Sequence, residues 1–545
     1  MNHVDRTRSL VAALREVIDR SARHLAAQTV EDGRVSVALM DERQAVLYDF
    51  ASIASAVAAV EELVSYGERG EREGRLALAA AADVLADLLG RAAGRWSAFV
   101  GERVDELPLW EAKVTSALAA GRDPGLLETI AAEVMRTGDA GPRHLSEEHE
   151  MVRDTFRRFT DERVRPVAEE VHRQDLDIPD HIVRALAELG TFGLSIPTSY
   201  GGMSEGGEEE LLNMVLVTEE LSRGSLGVAG SLITRPEIIA TAILKGGTEE
   251  QKQRWLPGIA AGEKMCAVAV TEPDFGSDVA MLKTTAARRG DRWVINGTKT
   301  WCTFAGKAEL LLVLARTDPD RSKGHRGLSL FVVEKPSFPG HDFRIQDGTG
   351  VMDARSIPTI GYRGMHSFEV SFESWRVPHS NLIGLEDGLG KGFYLQMQAF
   401  ASGRLQTAAR ALGLMQAALE DAVAYTVQRQ VFARPLSDYQ LTRTKIARMA
   451  CLLVACRQLT LRAARMLADG EGQLEASMVK QLACRLAEWV TREAQQLHGG
   501  MGYAEEFSVS RYFVDARVLS IFEGADEVLA LRVIARNLLD AALKD

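Results

Sequence analysis

The spacing of apolar positions changes period twice along the chain. Up to about residue 145 it is helical: Leu10, Leu14, Val17 and Ile18 share one face, and Leu85, Leu88 and Leu89 share another. Prolines in this stretch are confined to Pro108, Pro124 and Pro142, which predicts several antiparallel helices. The segment TGDAGPRHLSEEHE reads as a linker and helix start. Ser146 is the expected cap, with Glu147, Glu148 and Glu150 in the first turn, where the helix dipole favours negative charge. Helical spacing continues to about residue 264, broken by the glycine-rich IPTSYGGMSEGGEEE. TEEQKQRWLPGIAAGE predicts a short surface helix ending near Pro257.

Alternation then replaces helical spacing. Cys266, Val268 and Val270 alternate with Ala267 and Ala269, and Phe368, Val370 and Phe372 alternate with Ser367, Glu369 and Ser371. In RWVINGTKTW two β-prone runs flank Asn296-Gly297, a hairpin signal. From residue 388 helical spacing returns, with Leu412, Met415, Leu419, Val423 and Val427 in one stripe. The expected fold is mainly α with a small β-domain: an N-terminal helical extension (1–145), a helical domain (146–264), a middle β-domain (265–385) and a C-terminal helical bundle (386–545).

Composition narrows the function classes. At 545 residues the chain exceeds a single core. A net charge of −12 argues against a nucleic-acid partner. The five cysteines are scattered, odd in number and form no CxxC pair, so they read as reduced thiols of a cytoplasmic protein; Cys451 and Cys456 sit in an apolar helical run and are expected in the core. The apolar stretch LALAAAADVLADLLG is interrupted by Asp83 and Asp87, an amphipathic helix rather than a span, so no membrane partner is expected. MNHVDRTRSL lacks the apolar core of a signal peptide.

Five motifs in order carry a resemblance: AVTEPDFGSD (269–278), INGTKTWCTFAG (295–306), FEVSFESWRVPHSNLIG (368–384), QRQVFARPLSDYQ (428–440) and QLHGGMGYAEEFSVSRYFVDARVLSIFEGADEV (496–528). Over roughly residues 146–540 the chain resembles the acyl-CoA dehydrogenase family. The resemblance implies FAD as cofactor, an acyl-CoA thioester as substrate, electron-transfer flavoprotein as electron acceptor, and a homodimer or homotetramer. It implies that Val270 and Thr271 meet the polar edge of the flavin, that Trp301 and Thr303 pack on the ring and reach N5, and that the turn Gly276-Ser277 lies by the phosphates and the thioester ligand. Arg429 and Phe432, expected on one side of a helix end, would hold the pyrophosphate and adenine end of a neighbouring subunit's cofactor together with Gln440. Gln496, Gly499 and Gly500 would form a second adenosine contact, while His498 reads as a packing residue.

The resemblance also implies the chemistry. Removing a proton α to a thioester requires a base, a site for the developing oxyanion and a hydride acceptor. Glu523 matches the family's base, Gly524 lets a ligand approach the backbone, and the β-hydride goes to flavin N5. The neighbours Leu519, Ile521 and Phe522 are expected to strip solvent from Glu523 and raise its basicity. Some members place the base just before the arginine matching Arg404, but that position here is Gly403, which carries no carboxylate. Two departures stand out: Ala525 replaces a usual threonine, and Asp274 and Phe275 stand where small residues are common, a bulk that would narrow the pocket.

For the acyl group, Arg235 lies in a mostly apolar helix matching the acyl end of the family's pocket. Its fork suits a distal carboxylate, which points to a short branched dicarboxylic acyl-CoA; the alternative for Arg235 is a helix-start cap or a bridge to Glu237. Arg404 and Ser277 join Arg235 as expected substrate contacts. Competing readings are a short-chain dehydrogenase or oxidase of a monocarboxylic acyl-CoA, and a non-enzymatic flavin-carrying binding protein, which would show a basic patch and lack the base. The long extension is expected to cover surface or support assembly.

Overall fold

The stripe Leu10, Leu14, Val17 and Ile18 needs an apolar partner, and finds it in the helices that follow. In the computed structural model, which describes residues 1–101 and 104–544, all four are buried on helix His3–Thr29. Asn2 caps that helix by accepting from the Asp5 N–H at 2.8 Å. Helices Gln44–Gly67 and Glu71–Ala92 pack on it. Helix Pro124–Thr137 starts at Asp123, whose side chain accepts from Gly125 and Leu126, and stops at Gly138 in the left-handed region. These helices share one core with Gln440–Ala468 and Gln473–Leu497, so that residues 1–150 and 407–545 form one compact unit. Polar ties cross the same seam: Arg448 to Asp83 at 3.0 Å, Arg462 to Glu62 at 3.2 Å and Arg532 to Asp41 at 2.8 Å. Cys451, Cys456 and Cys484 are buried thiols of this core.

The second unit, residues 151–406, combines helices with an eight-stranded sheet. Its strands are β1 Cys266–Ala269, β2 Thr285–Arg289, β3 Arg292–Thr303, β4 Leu310–Arg316, β5 Leu328–Glu334, β6 Asp342–Asp347, β7 Gly350–Ile357 and β8 Ser367–Pro378. The order is β1-β4-β2-β3-β8-β7-β6, with β5 antiparallel to β4. β4 is buried along its whole length and apolar at every position but Arg316, because both its faces are covered. Leu311, Val313 and Ala315 face one cluster with Trp293, Phe331 and Phe368, whereas Leu310, Leu312 and Leu314 face another with Ile239, Ile243 and Trp255 from the helices. Leu226–Gly246 is apolar enough to cross a membrane by composition, but 94 % of its most apolar window is buried inside the protein.

Three local expectations fail. Asn296-Gly297 is not a turn but the middle of β3. The hairpin closes at Gly290-Asp291, between the paired residues Arg289 and Arg292. Glycine stands at 297 for space: a Cβ there would lie 2.4 Å from Thr284 Oγ1 and 2.7 Å from its Cα, and φ is +144°. Asn296 instead accepts the Ser374 N–H through its side chain at 2.8 Å, bracing an irregularity in β8. Helix Glu249–Ala260 contains Pro257 rather than ending near it; it lies at the surface, with Glu249, Glu250, Gln253 and Arg254 exposed on one face and Trp255 and Leu256 fully buried on the other. The apolar stripe of helix Gly392–Gln428 lapses at Val427, which is 47 % exposed.

Candidate active site

In the second unit, the end of β1 is fixed by a buried ion pair. Lys299 on β3 is fully buried and donates from Nζ to the Val270 carbonyl and to Glu272 Oε1, each at 2.9 Å. Glu272 also accepts the N–H groups of Lys283 (2.6 Å) and Thr284 (2.8 Å). Burial alone would raise the Glu272 pKa, but the Lys299 charge and these donors outweigh it and hold the carboxyl below its ordinary value. Burial lowers the Lys299 pKa against the opposing pull of Glu272. Sequence reading passed over this pair. Its signal was a lysine at an inward-phase position of an alternating strand, in step with Trp293 and Ile295.

The pair leaves the neighbouring donors available. Thr300 donates to the Thr271 carbonyl at 2.9 Å, while the Thr271 N–H has no protein partner among the described residues. A tight turn follows, Glu272 and Phe275 exchanging backbone bonds at 3.0 and 3.1 Å. Gly276 and Ser277 beyond it are exposed, with open space where a Gly276 side chain would project. Asp274 pairs with Lys283 at 2.9 Å, and the same ammonium lies 5.2 Å from the Phe275 ring centre. The two bulky departures of this motif are thus tied to one lysine.

Trp301 is displayed by a bulge. Pairing of β8 with β3 slips between Phe368–Cys302 and Val370–Lys299, so Glu369 alone opposes Thr300 and Trp301. Trp301 takes φ +58° and its indole is 54 % exposed. A left-handed aromatic residue costs about 1–3 kcal/mol and persists where its surroundings over-determine it; here the flanking Lys299 and Cys302 are fully buried. Thr303 is buried and its hydroxyl lies 2.9 Å from Ser367 Oγ. An exposed indole, an open glycine-serine turn and the Thr271 donor suit a flat ring with a polar edge and a phosphate tail. The residues present therefore fit a flavin nucleotide.

Arg235 occupies the first turn of helix Thr234–Gly246 and is only 6 % exposed. A cation there opposes the helix dipole, so helix electrostatics do not explain it. Glu237, also buried, accepts hydrogen bonds from Ser402 and from Gln406 Nε2 of helix Gly392–Gln428. Arg404, on that same helix, is half-buried.

In the first unit, Glu523 lies in the turn between helices Ser508–Leu519 and Asp526–Val528. It is half-buried with φ +53°, followed by Gly524 at φ +99°. The turn is held from several sides: the Asp526 N–H donates to Ser520 O at 3.1 Å, Lys480 Nζ to Gly524 O at 2.5 Å, and the Tyr48 hydroxyl to the Asp526 carboxylate. The expected apolar shell is only partly formed. Leu519 is buried, but Ile521 is 55 % exposed, and the Arg410 guanidinium lies 4.8 Å from the Phe522 ring centre. Helix Ser508–Leu519 ends two residues before Ile521, which therefore lies on the turn and not on the helix's buried face.

The adenine-end residues also differ from a helix-end arrangement. Helix Gly392–Gln428 stops before Arg429, and Gln430–Val431 pairs with Arg434–Pro435 in a small hairpin. Phe432 and Ala433 take φ +48° and +64° at its tip, and Phe432 is 93 % exposed. Arg429 and Gln440 are exposed, and Gln440 donates to Glu128 Oε1 at 3.1 Å. Gln496, Gly499 and Gly500 are exposed at the end of helix Gln473–Leu497, with open space around both glycines. His498 is buried, bonded to Ala494 O at 2.8 Å and stacked 4.2 Å from Tyr425, and burial lowers its pKa.

Three family models match in succession: the acyl-CoA dehydrogenase N-terminal domain over residues 146–263, the middle domain over 267–375 and the C-terminal domain over 390–539. Among curated relatives, a (2S)-methylsuccinyl-CoA dehydrogenase from Cereibacter sphaeroides is 40 % identical over 528 residues, covering 93 % of this chain and 93 % of that protein. The mitochondrial short-chain specific acyl-CoA dehydrogenase of Bos taurus is 36 % identical over 397 residues, 72 % of this chain and 91 % of its own length. The solved structure of butyryl-CoA dehydrogenase from Megasphaera elsdenii superposes with a TM-score of 0.65 at 31 % identity, covering 71 % of this chain and 97 % of that one. With these matches, and with residues that fit a flavin nucleotide, the chain belongs to the acyl-CoA dehydrogenase family, the FAD-dependent oxidoreductases that act on CH–CH groups.

Proposed function

We propose that this enzyme oxidises a short branched dicarboxylic acyl-CoA, (2S)-methylsuccinyl-CoA to mesaconyl-CoA, and passes the electrons to electron-transfer flavoprotein. The observation that carries the substrate reading is Arg235, a guanidinium buried in an apolar helix against the helix dipole. A charge-assisted bond to a distal carboxylate is worth about 1.5–3 kcal/mol, enough to favour a dicarboxylic acyl group over a plain chain by about 10- to 150-fold. The likeness to the Cereibacter protein supports it, because that match runs through the N-terminal extension as well as the three family domains.

FAD, when bound by Val270, Thr271, Gly276, Ser277, Trp301 and Thr303, supplies the hydride acceptor, N5. Glu523 takes the α-proton as a carboxylate, and its backbone N–H polarises the thioester oxygen so that negative charge develops against a fixed donor. In support of this role, Glu523 and Gly524 form a left-handed turn, and Lys480 holds it by donating to the Gly524 carbonyl. Arg235 orients the acyl chain from its far end, with Arg404 and Ser277 as further substrate contacts. Arg429, Phe432, Gln440, Gln496, Gly499 and Gly500 serve the adenine end of the cofactor of a second copy, in a homodimer or homotetramer; an aromatic ring as exposed as Phe432 suits that use.

Anaerobic bleaching of the flavin with a panel of mono- and dicarboxylic CoA thioesters tests the reading. Methylsuccinyl-CoA should bleach it fastest, and Arg235→Met should lose methylsuccinyl-CoA far more than butyryl-CoA. Equal losses would remove Arg235 from substrate recognition, and preference for butyryl-CoA in the unaltered enzyme would turn the reading to a monocarboxylic substrate. Rapid turnover with oxygen alone would replace the flavoprotein acceptor.

A further inference from the structure

At one edge of the second unit, residues from three separate segments converge: Asp175 and Asp177 after helix Arg165–Gln174, His341 just before β6 and His366 just before β8. His366 is 8 % exposed. Its Nδ1 lies 3.1 Å from Asp177 Oδ1, and the other Asp177 oxygen accepts the Gly340 N–H at 2.6 Å. That leaves His366 Nε2, buried and without a hydrogen bond, 3.4 Å from Asp175 Oδ1. His341 stands with its ring centre 4.4 Å from that of His366, its Nδ1 3.0 Å from Ser356 Oγ and its Nε2 3.1 Å from the Asp175 carbonyl. One ligand atom from each of Asp175, His341 and His366 lies within 4.8 Å of the other two.

This is metal-ligand chemistry in several respects. Ligands about 2.0–2.2 Å from a common ion lie roughly 3.3 Å apart, so the three atoms need only an ångström-scale approach. A carboxylate behind a histidine is the usual device that fixes its tautomer and aims the free nitrogen at the ion, and Asp177 holds that position against His366. Two imidazoles and one carboxylate suit Zn²⁺, Co²⁺ or Ni²⁺ better than Mg²⁺ or Ca²⁺. His341 is exposed, which gives the ion a path from solvent. Arg363 Nε lies 3.7 Å from Asp175 Oδ1 and competes for that carboxylate, but it is also engaged with the Thr359 carbonyl at 3.1 Å.

We propose that Asp175, His341 and His366 bind one first-row divalent ion of the Zn²⁺, Co²⁺ or Ni²⁺ type, with solvent completing its shell. The ion would join the loop after helix Arg165–Gln174 to the sheet edge. It would sit one residue from Ser367, the hydroxyl partner of Thr303, and on the residue whose carbonyl accepts the Phe304 N–H at 2.8 Å.

The test uses the full-length FAD-loaded enzyme, stripped with chelator and titrated with Co²⁺ by visible d–d absorption and with Zn²⁺ by calorimetry. One equivalent should bind. Because His341 is exposed, His341→Ala should fold normally by circular dichroism yet bind at least about tenfold more weakly, and Asp177→Asn should keep the stoichiometry and lose about tenfold in affinity. The proposal is overturned if the unaltered enzyme takes up no ion, or if His341→Ala binds with the same affinity and stoichiometry.

Discussion

The turn that carries Glu523 is strained, and a hydroxyl from a residue far away in sequence helps to hold it. Tyr48, on helix Gln44–Gly67, donates to the carboxylate of Asp526, three residues beyond Glu523. The Tyr48→Phe variant removes that donor alone. The ring remains, so the Arg485 guanidinium keeps its place 5.5 Å from the ring centre and its bond to Ser52. A hydrogen bond to a charged group contributes about 1.5–3 kcal/mol, and Asp526 is only 7 % exposed, so water replaces the hydroxyl poorly. The loss is similar in size to the roughly 1–3 kcal/mol that a left-handed residue such as Glu523 costs. The turn should therefore relax in part. We expect a Tm lower by about 2–5 °C. We also expect kcat to fall about tenfold, equivalent to about 1.4 kcal/mol, with KM changed less than about twofold and a larger deuterium isotope effect at the α-carbon.

Burial and the bond to Asp526 push the Tyr48 pKa up to about 12, so the hydroxyl keeps its proton throughout any ordinary assay range. The defect of Tyr48→Phe should accordingly be constant between pH 6 and 9 (roughly the range over which such an enzyme is assayed). A double-mutant cycle with Asp526→Asn separates positioning from general loosening: the two changes should be non-additive by about 1 kcal/mol or more in both Tm and kcat. Unchanged kcat in Tyr48→Phe, or strict additivity with Asp526→Asn, would refute the reasoning.

Three other perturbations follow from the geometry. Glu523→Gln should retain FAD and bind ligand but slow flavin bleaching by substrate about 10²- to 10⁴-fold, the usual contribution of a general base; bleaching at the normal rate would show that another group takes the proton. Gly297→Ala drives a Cβ against the Thr284 backbone and should destabilise the second unit by about 1–3 kcal/mol, read as a drop in Tm. Because the Glu272 carboxyl titrates below its ordinary value of 4.5 in the folded protein, its contribution is fully present above pH 4.5 and is lost as pH falls through the lower folded value. Thermal melts from pH 3 to 6 should therefore show acid destabilisation that is shallower in Glu272→Gln, and parallel curves would exclude this role.

What the sequence disclosed, and what it hid, divides along the range of the interactions involved. The apolar run of β4 and the stripe of helix His3–Thr29 were legible because each depends on a local period that burial imposes directly. The motif residues were legible as well, but their presentation was not. Trp301 and Glu523 both adopt left-handed backbone that no local preference supports, and each is held there by partners remote in sequence: β8 for the bulge, Lys480 and Tyr48 for the turn. The Asn296-Gly297 expectation failed for a related reason. The same dipeptide that favours a hairpin also serves where a strand must pass close to other backbone, and only Thr284 distinguishes the two uses. Functional strain of this kind leaves no periodic trace, because the stabilising contact and the strained residue need share no sequence window. The Tyr48–Asp526 bond, spanning 478 positions, is such a contact, and it gives the N-terminal helices a task that covering surface does not require: they supply a hydroxyl to the turn that carries Glu523.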